Sequence, residues 1–257
     1  MPTLPVSLRR SRPVKLLGIA LQFGHGAWIV ALRFPRWEQA QRLQAIQRWA
    51  SQLLAILEIE VRSNQLPPTG FAGLVVSNHL SWLDILVLQS LMPGSFVAKQ
   101  EVRQWPVVGY LAQACATIFV DRSSPRSARS MVEDTAKAIA QGYAVVVFPE
   151  GTSSNGQALG DFHANIFESA IRAQAPVQLL SLQYHDRATG KAAAAAHFID
   201  DMTLMASLRD VMSSSTIEAR VHIGDCIPVQ GHTRKSLALQ AHARIRSHLF
   251  TPTHETT

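Results

Sequence analysis

Short apolar segments rich in Val, Ile and Leu alternate with helical segments from residue 71 onward, and this alternation constrains the fold more than any other feature. Six segments are predicted strands: GLVVSN, SFVAK, ATIFVD, YAVVVFPE, VQLLSLQY and TIEARVHI, beginning at residues 73, 95, 116, 143, 177 and 216. Helices are predicted near residues 82–92, 106–114, 124–141, 163–174 and 235–249. Strands that alternate with helices pair mainly in parallel. We therefore predict an α/β fold, a mainly parallel sheet covered by helices on both faces.

The first 62 residues differ from the rest of the chain in charge and hydropathy. They hold nine Lys or Arg residues against three Asp or Glu residues, whereas residues 63–257 hold fifteen of each kind. Residues 15–34 are apolar between basic ends and marginal in length for spanning a bilayer. The spacing from Trp37 to Leu57 predicts an amphipathic helix. We predict a membrane-associated helical pair at residues 1–62 that binds an anionic surface, followed by one α/β domain at residues 63–257.

The N-terminal segment is also compatible with a different arrangement of its helices. The amphipathic helix could instead pack on its own domain, and residues 15–34 could either span the bilayer or lie in it. A cleaved signal peptide is disfavoured, because Arg33-Phe34-Pro35 offers no small-residue cleavage site. Nucleic acid is not expected as a partner, because the basic residues flank apolar stretches and do not form one basic face.

The two cysteines, Cys115 and Cys226, lie far apart and outside any Cys/His cluster. Their placement favours neither a disulfide nor a zinc site and indicates a reducing compartment. With a membrane-associated N-terminus, the predicted location is the cytoplasmic face of the inner (plasma) membrane.

Polar side chains follow four of the predicted strands. These are Ser77-Asn78-His79, Lys99, Asp121-Arg122 and Pro149-Glu150-Gly151-Thr152. The carboxyl ends of parallel strands meet at one edge of a sheet, and ligands of open α/β sheets bind there. We therefore expect these residues to surround one opening.

His79 and Asp84 are five residues apart, a spacing that would separate them by about 140° on one continuous helix. If His79 lies in the loop after the strand and Ser81 caps the next helix, Asp84 falls in the first turn and can reach back. Its carboxylate would then fix the imidazole tautomer and leave the other ring nitrogen as a base. For this pair taken alone, a capping aspartate beside an unrelated histidine is the alternative.

Four segments in order resemble the motifs of the glycerolipid acyltransferase family, which includes bacterial lysophosphatidic acid acyltransferases. They are NHLSWLD at 78–84, TIFVDR at 117–122, FPEGT at 148–152 and APVQLLSLQY at 175–184. The resemblance covers roughly residues 70–185, and the spacing of the four segments is also similar to that of the family.

The resemblance implies an O-acyltransferase that moves a fatty acyl group from acyl-CoA or acyl carrier protein to the free hydroxyl of a lysophospholipid. By this resemblance His79 is the general base and Asp84 orients it. It implies a direct transfer, with no serine acyl-enzyme, no metal ion and no cofactor other than the acyl donor. The candidate substrate-binding residues are Lys99, Arg122, Glu150, Gly151, Thr152, Ser153 and His163 for the acceptor, and Pro176 for the donor.

Two positions depart from the family pattern and bear on the acceptor. Many members have Arg after Glu-Gly-Thr, where this chain has Ser153, and many have Lys or Arg near the position of His163. The expected acceptor is 1-acyl-sn-glycerol-3-phosphate, giving phosphatidic acid, because Lys99 and Arg122 match anion-binding positions of the family. A lyso-ornithine lipid, whose headgroup carries no phosphate, is the alternative.

Two further classes of protein fit the sequence less well. A lipid-cleaving serine hydrolase needs a nucleophile elbow, and the chain has no Gly-x-Ser-x-Gly segment. A non-catalytic protein that binds membranes or nucleic acid through its basic N-terminus would have no need of His79, Asp84 and Glu150 together.

Overall fold

The computed structural model describes residues 10–121, 125–199, 201–214 and 217–250. Within these residues the strands are β1 Ile59–Ser63, β2 Gly73–Ser77, β3 Ser95–Lys99, β4 Ile118–Val120, β5 Ala144–Val147, β6 Val177–Asp186 and β7 Ile217–Ile227. The helices are α1 Arg12–Leu32, α2 Gln39–Leu57, α3 Leu83–Leu91, α4 Val108–Ala114, α5 Pro125–Ala140, α6 Phe167–Ala173, α7 Leu204–Ser213 and α8 Arg234–Phe250.

The strands form one sheet in the order β1-β7-β6-β2-β5-β3-β4. Neighbouring strands are parallel except β6 and β7, which are antiparallel. β2 lies at the centre, and all five of its residues are buried, which is typical of a strand covered on both faces. The prediction of a mainly parallel sheet flanked by helices is confirmed.

Each face of the sheet packs against its own set of helices. Val75 of β2 points into a core that includes α2, α3 and α7. Leu74 and Val76, which alternate with it, point into a second core built with α5, α6 and α8. Because β2 is packed between both cores, its last residue, from which the next loop begins, is held in a fixed position.

Two elements were not predicted, and one of them changes how the N-terminal segment is understood. α7 adds a helix to the first core, and β1 pairs in parallel with β7, from Ile59 opposite Ile217 to Ser63 opposite Val221. The predicted boundary between residues 62 and 63 therefore falls inside a strand of the sheet.

The amphipathic helix α2 packs on its own domain, which was the alternative for this segment. Leu53, Leu54 and Leu57 are at most 3% exposed and belong to the first core. Two N-terminal helices precede the sheet, as predicted, but α3 and the sheet cover this apolar face of α2. Residues 39–62 are thus a component of the α/β domain.

α1 turns Lys15 and Gln22 inward and several of its apolar side chains outward. Nζ of the buried Lys15 lies 2.8 Å from Glu58 Oε2 at the end of α2. The amide of Gln22 donates to the carbonyl of Trp49 at 3.0 Å. The outward face carries side chains that are 46–65% exposed, namely Val14, Leu16, Leu17, Leu21, Trp28 and Leu32.

Within the described residues, one helical stretch is long and apolar enough to cross a membrane. It comprises Arg12–Arg36, which is α1 with the short turn that follows it, and only 17% of its most apolar window is buried. An apolar helix of this kind could anchor the protein to a membrane.

Candidate active site

The loop of residues 78–82, between β2 and α3, is the core of the candidate site, and we call it the catalytic loop. Pairing of β2 with β6 ends at Ser77 opposite Leu180. The Asn78 side chain continues the ladder: its Oδ1 accepts from Leu182 N at 2.8 Å, and its Nδ2 donates to Leu182 O at 2.9 Å. The catalytic loop is therefore tied to β6 immediately before His79.

Asp84 lies in the first turn of α3, as the sequence predicted. The helix begins at Leu83, so that Trp82 and not Ser81 is in the N-cap position. The Ser81 hydroxyl instead accepts from Leu83 N at 3.3 Å. A carboxylate in this first turn is stabilised by the free N–H groups of the helix start.

The carboxylate of Asp84 is fully buried and reaches back to the catalytic loop. Its Oδ2 accepts from Leu80 N at 2.7 Å and from Ser81 N at 2.9 Å. The same oxygen lies 2.8 Å from His79 Nδ1. Backbone donors fix the carboxylate, and the carboxylate fixes the imidazole, so the structure brings the predicted pair together.

The ring of His79 is held on its face as well as at Nδ1. It stacks on Phe148 with centroids 4.1 Å apart and planes 12° from parallel, and 22% of the side chain is exposed. With Nδ1 directed at Asp84, Nε2 is the nitrogen left for a substrate. Within the residues that the structure describes, Nε2 makes no hydrogen bond.

Tyr184 of β6 also contacts the pair, although no role was predicted for it from the sequence. Its hydroxyl donates to Asp84 Oδ1 at 2.8 Å, and the residue is 2% exposed. Burial and the neighbouring charge of Asp84 raise the pKa of Tyr184 well above its usual value. A signal was present in the sequence, because a tyrosine at the end of a buried strand needs a partner for its hydroxyl.

Glu150 supports the catalytic loop through backbone contacts. Its Oε1 accepts from His79 N at 2.8 Å, and its Oε2 accepts from Gly160 N at 2.9 Å. Burial raises the pKa of Glu150, and the N–H groups of Gly160 and His79 oppose this effect. Both carboxylate oxygens thus have a structural partner, in addition to any substrate contact predicted for them.

The residues after Glu150 close over the catalytic loop. Ser154 N donates to His79 O at 3.0 Å, and Phe198 N donates to Leu80 O at 2.9 Å. The hydroxyl of Ser153 donates to the carbonyl of Phe198. Ser153, which occupies the position where many family members have Arg, therefore joins two loops.

Four other predicted residues lie at the same edge of the sheet. Lys99 is exposed at the end of β3, two strand spacings or about 10 Å from β2. Thr152 and His163 are exposed, and His163 N donates to Pro149 O at 2.9 Å. Gly151, at φ +77°, donates its N–H to Phe148 O at 3.0 Å, so this N–H stabilises a turn.

The last two predicted residues of the site are Arg122 and Pro176. Arg122 lies outside the described residues. Pro176 precedes β6, at the opposite edge of the sheet from His79, because Leu74 N donates to its carbonyl at 3.1 Å. A Cβ at Gly73 would lie 2.5 Å from that carbonyl, so glycine permits the close approach. Roughly 13 Å of β2 separates this point from the catalytic loop. Pro176 therefore does not lie beside His79, and its predicted link to the acyl donor stays a prediction.

A cavity of about 70 Å³ lies on the β6 side of the catalytic loop, and Asn78, Glu150, Tyr184 and His197 are among the residues that line it. His79 is not among them. Burial lowers the pKa of His197, and the charge of Asp84 opposes this effect. The cavity therefore borders the residues that hold the catalytic loop in place, and the imidazole of His79 does not line it.

Comparison with known proteins identifies the family of this arrangement. The family model described as Acyltransferase matches residues 58–182. A lyso-ornithine lipid O-acyltransferase from Pseudomonas aeruginosa is 36% identical over 243 residues, covering 93% of this chain and 92% of that protein. The chain belongs to the acyltransferase family. The family resemblance carried by the four sequence segments is confirmed, and O-acyl transfer is the supported class of activity.

Two further relatives of this acyltransferase extend the comparison. A 1-acyl-sn-glycerol-3-phosphate acyltransferase from Neisseria meningitidis is 36% identical over 170 residues, which is 66% of each chain. The crystal structure of a 1-acyl-sn-glycerophosphate acyltransferase from Thermotoga maritima has a TM-score of 0.66 at 20% identity, over 93% of this chain and 96% of that chain. The last comparison supports the fold.

Proposed function

We propose that this acyltransferase moves a fatty acyl group from a thioester donor to the free hydroxyl of a lysolipid, with His79 as general base. The observation that carries the proposal is the 2.8 Å contact between His79 Nδ1 and the buried carboxylate of Asp84. This contact places a proton on Nδ1 and leaves the lone pair of Nε2 directed away from Asp84.

The proposed reaction is one direct transfer. Nε2 of His79 takes the proton of the acceptor hydroxyl while the oxygen attacks the thioester carbonyl, and Asp84 stabilises the imidazolium that forms. Collapse of the tetrahedral intermediate forms the ester and releases the thiol, which recovers the proton from Nε2. The donor is acyl-CoA or acyl carrier protein. No step calls for a metal ion, a cofactor beyond this donor, or a serine nucleophile.

The acceptor is the part of the proposal that depends on Ser153. A phosphate monoester is held best by several charge-assisted hydrogen bonds. Lys99 supports 1-acyl-sn-glycerol-3-phosphate, as does the Neisseria relative. The contact of Ser153 with Phe198 favours an acceptor without phosphate, and the Pseudomonas relative, which aligns over 93% of this chain, is named for a lyso-ornithine lipid. Of the two acceptors we propose the lyso-ornithine lipid.

A competition assay with equal amounts of the two lysolipids tests the acceptor. Wild-type protein is expected to acylate the lyso-ornithine lipid in preference, and Ser153→Arg should shift the ratio toward the phosphate acceptor by about tenfold, the worth of one charge-assisted hydrogen bond. Ser153→Ala is the control, because it removes the contact with Phe198 without adding a charge. Preference of the wild type for 1-acyl-sn-glycerol-3-phosphate would contradict the acceptor assignment and leave acyl transfer itself standing.

We further propose that α1 lies in the membrane interface and does not cross the bilayer. Its polar face is fixed to α2, from the pair of Lys15 and Glu58 to the carbonyl of Gln22, which accepts from Trp49 Nε1 at 2.8 Å. Crossing the bilayer would break these contacts and leave a charge in hydrocarbon. The opposite face exposes the apolar side chains, and Arg33 lies over the ring of Trp28 at 5.7 Å, an arrangement suited to the headgroup layer. A cytoplasmic surface is proposed, because both donors are cytoplasmic molecules.

Replacing Leu17 and Leu21 by glutamine should weaken binding to vesicles of phosphatidylglycerol and phosphatidylethanolamine by about 100-fold. Both side chains are more than 60% exposed, and each would lose on the order of 1.5 kcal/mol of apolar burial in the membrane. Cosedimentation measures the effect. Leu239→Gln on α8, where the side chain is 73% exposed, is the matched control and should bind as the wild type does. Equal binding by the α1 variant would contradict the interfacial role of α1.

A further inference from the structure

Tyr184 is the last residue of the fourth family segment, and its hydrogen bond with Asp84 gives the base a third member. Oδ2 of Asp84 is shared among His79 Nδ1 and the N–H groups of Leu80 and Ser81. Oδ1 accepts from Tyr184 Oη at 2.8 Å. Among the described residues, the Tyr184 hydroxyl is the hydrogen-bond donor to Asp84 Oδ1. It therefore limits rotation of the carboxylate about the Cβ–Cγ bond.

β6 holds both ends of the segment that carries the base. The main chain of Leu182 is bound by the Asn78 side chain, and Tyr184, two residues farther on the same face of the strand, is bound to Asp84. His79 lies between these two attachments. The part of β6 that extends beyond its pairing with β2 thus serves as a rigid support for the catalytic loop.

We infer that Tyr184 is a positioning residue that keeps Oδ2 of Asp84 aligned with His79 Nδ1 and tempers the basicity of the carboxylate. The inference rests on the proposed function of His79 as base. Tyr184 does not reach substrate, because it is buried and acts through Asp84. Burial and the charge of Asp84 raise the pKa of Tyr184, which favours the protonated phenol as the donor.

The expected consequence of losing the phenol has a definite sign. Without the donor at Oδ1, the carboxylate can turn Oδ2 out of line with His79 Nδ1, which lowers the rate, and its charge is no longer shared with the phenol. Loss of the phenol is therefore expected to move the acid limb of the pH profile of kcat/KM to higher pH. Two other titratable groups, Glu150 and His197, interact electrostatically with Asp84, and they are unchanged in the variants below.

Tyr184→Phe removes one oxygen and leaves the buried ring in place. It is expected to lower kcat by about 10–100-fold, to change the acceptor KM little, and to move the acid limb upward. Tyr143→Phe is the control, because Tyr143 packs against the opposite core and should leave the rate and profile unchanged. A folded Tyr184→Phe protein with the wild-type rate and pH profile would overturn the inference.

A second variant avoids any loss of packing. The chain has three tyrosines, so changing Tyr110 and Tyr143 to phenylalanine leaves Tyr184 alone, and 3-fluorotyrosine can then be incorporated at this position. Fluorination makes the phenol a stronger donor and should move the acid limb to lower pH, opposite to Tyr184→Phe. An unchanged profile in the fluorinated protein would overturn the inference.

A measurement without turnover separates this inference from the proposed function. The Nδ1–H proton resonance of His79, identified by its absence in His79→Ala, should change in Tyr184→Phe and stay constant in Tyr143→Phe. A wild-type protein that releases no thiol with any lysolipid would refute the proposed function, whereas a constant His79 resonance in Tyr184→Phe would refute the role of Tyr184.

Discussion

Replacement of His79 by alanine is expected to lower the rate of acyl transfer by about 10²–10⁴-fold, because loss of a general base typically has this effect. The fold should be retained, since the site holds residue 79 through its main chain: its N–H donates to Glu150 Oε1, and its carbonyl accepts from Ser154 N. Thiol release from acyl-CoA in the presence of a lysolipid measures the rate, and circular dichroism checks the fold.

His222→Ala is a suitable control for this experiment. His222 is also partly buried and stacked on a ring, that of His248 at 3.9 Å, but it lies on β7, on the far side of β6 from β2. Near-normal turnover is expected for the control. The same turnover in folded His79→Ala would rule out His79 as the base.

Asp84→Asn should reduce turnover by about 10²-fold or more while keeping the geometry of the site. The amide oxygen can replace Oδ2, which accepts from His79, Leu80 and Ser81, and the amide N–H₂ then faces Tyr184, whose hydroxyl can rotate and accept. What is lost is the negative charge that stabilises the imidazolium.

The distinguishing measurement for Asp84 is a comparison of two substitutions. Asp84→Ala removes the acceptor for two backbone N–H groups in a fully buried place and should lower the melting temperature, whereas Asp84→Asn should leave it nearly unchanged at much reduced activity. If Asp84→Asn kept full activity, the carboxylate would have only its helix-capping role.

The predicted strands were largely right, because buried parallel strands have distinctive runs of apolar residues. β1 was missed because its two apolar residues, Ile59 and Val61, alternate with the charged Glu60 and Arg62 and follow directly on the helical periodicity of α2. The antiparallel pairing of β7 with β6 was also not predicted. The apolar pattern of a strand does not show which strand lies beside it or in which direction the two strands run. The domain boundary placed at residue 62 followed from missing β1.

The candidate site was predicted in its centre and less well at its periphery. The spacing of His79 and Asp84 was sufficient to predict their contact. A loop followed by the first turn of a helix brings the carboxylate back to the imidazole. Pro176 lies at the opposite edge of the sheet from His79, a position that its sequence motif does not specify. The contact of Glu150 with His79 N, and that of Tyr184 with Asp84, join residues 71 and 100 positions apart and form only when the chain is folded.

The way two loops meet the catalytic loop bears on how this region tolerates substitution. Segments 151–156 and 192–199 hold His79 and Leu80 mainly through the main-chain N–H groups of Ser154 and Phe198, with a further contact of 3.4 Å from the Ser154 hydroxyl to His79 O. A main-chain N–H is present whatever side chain, other than that of proline, stands at the same position. We therefore expect the surface of these two loops to accept side-chain substitutions while His79 and Asp84 keep their alignment.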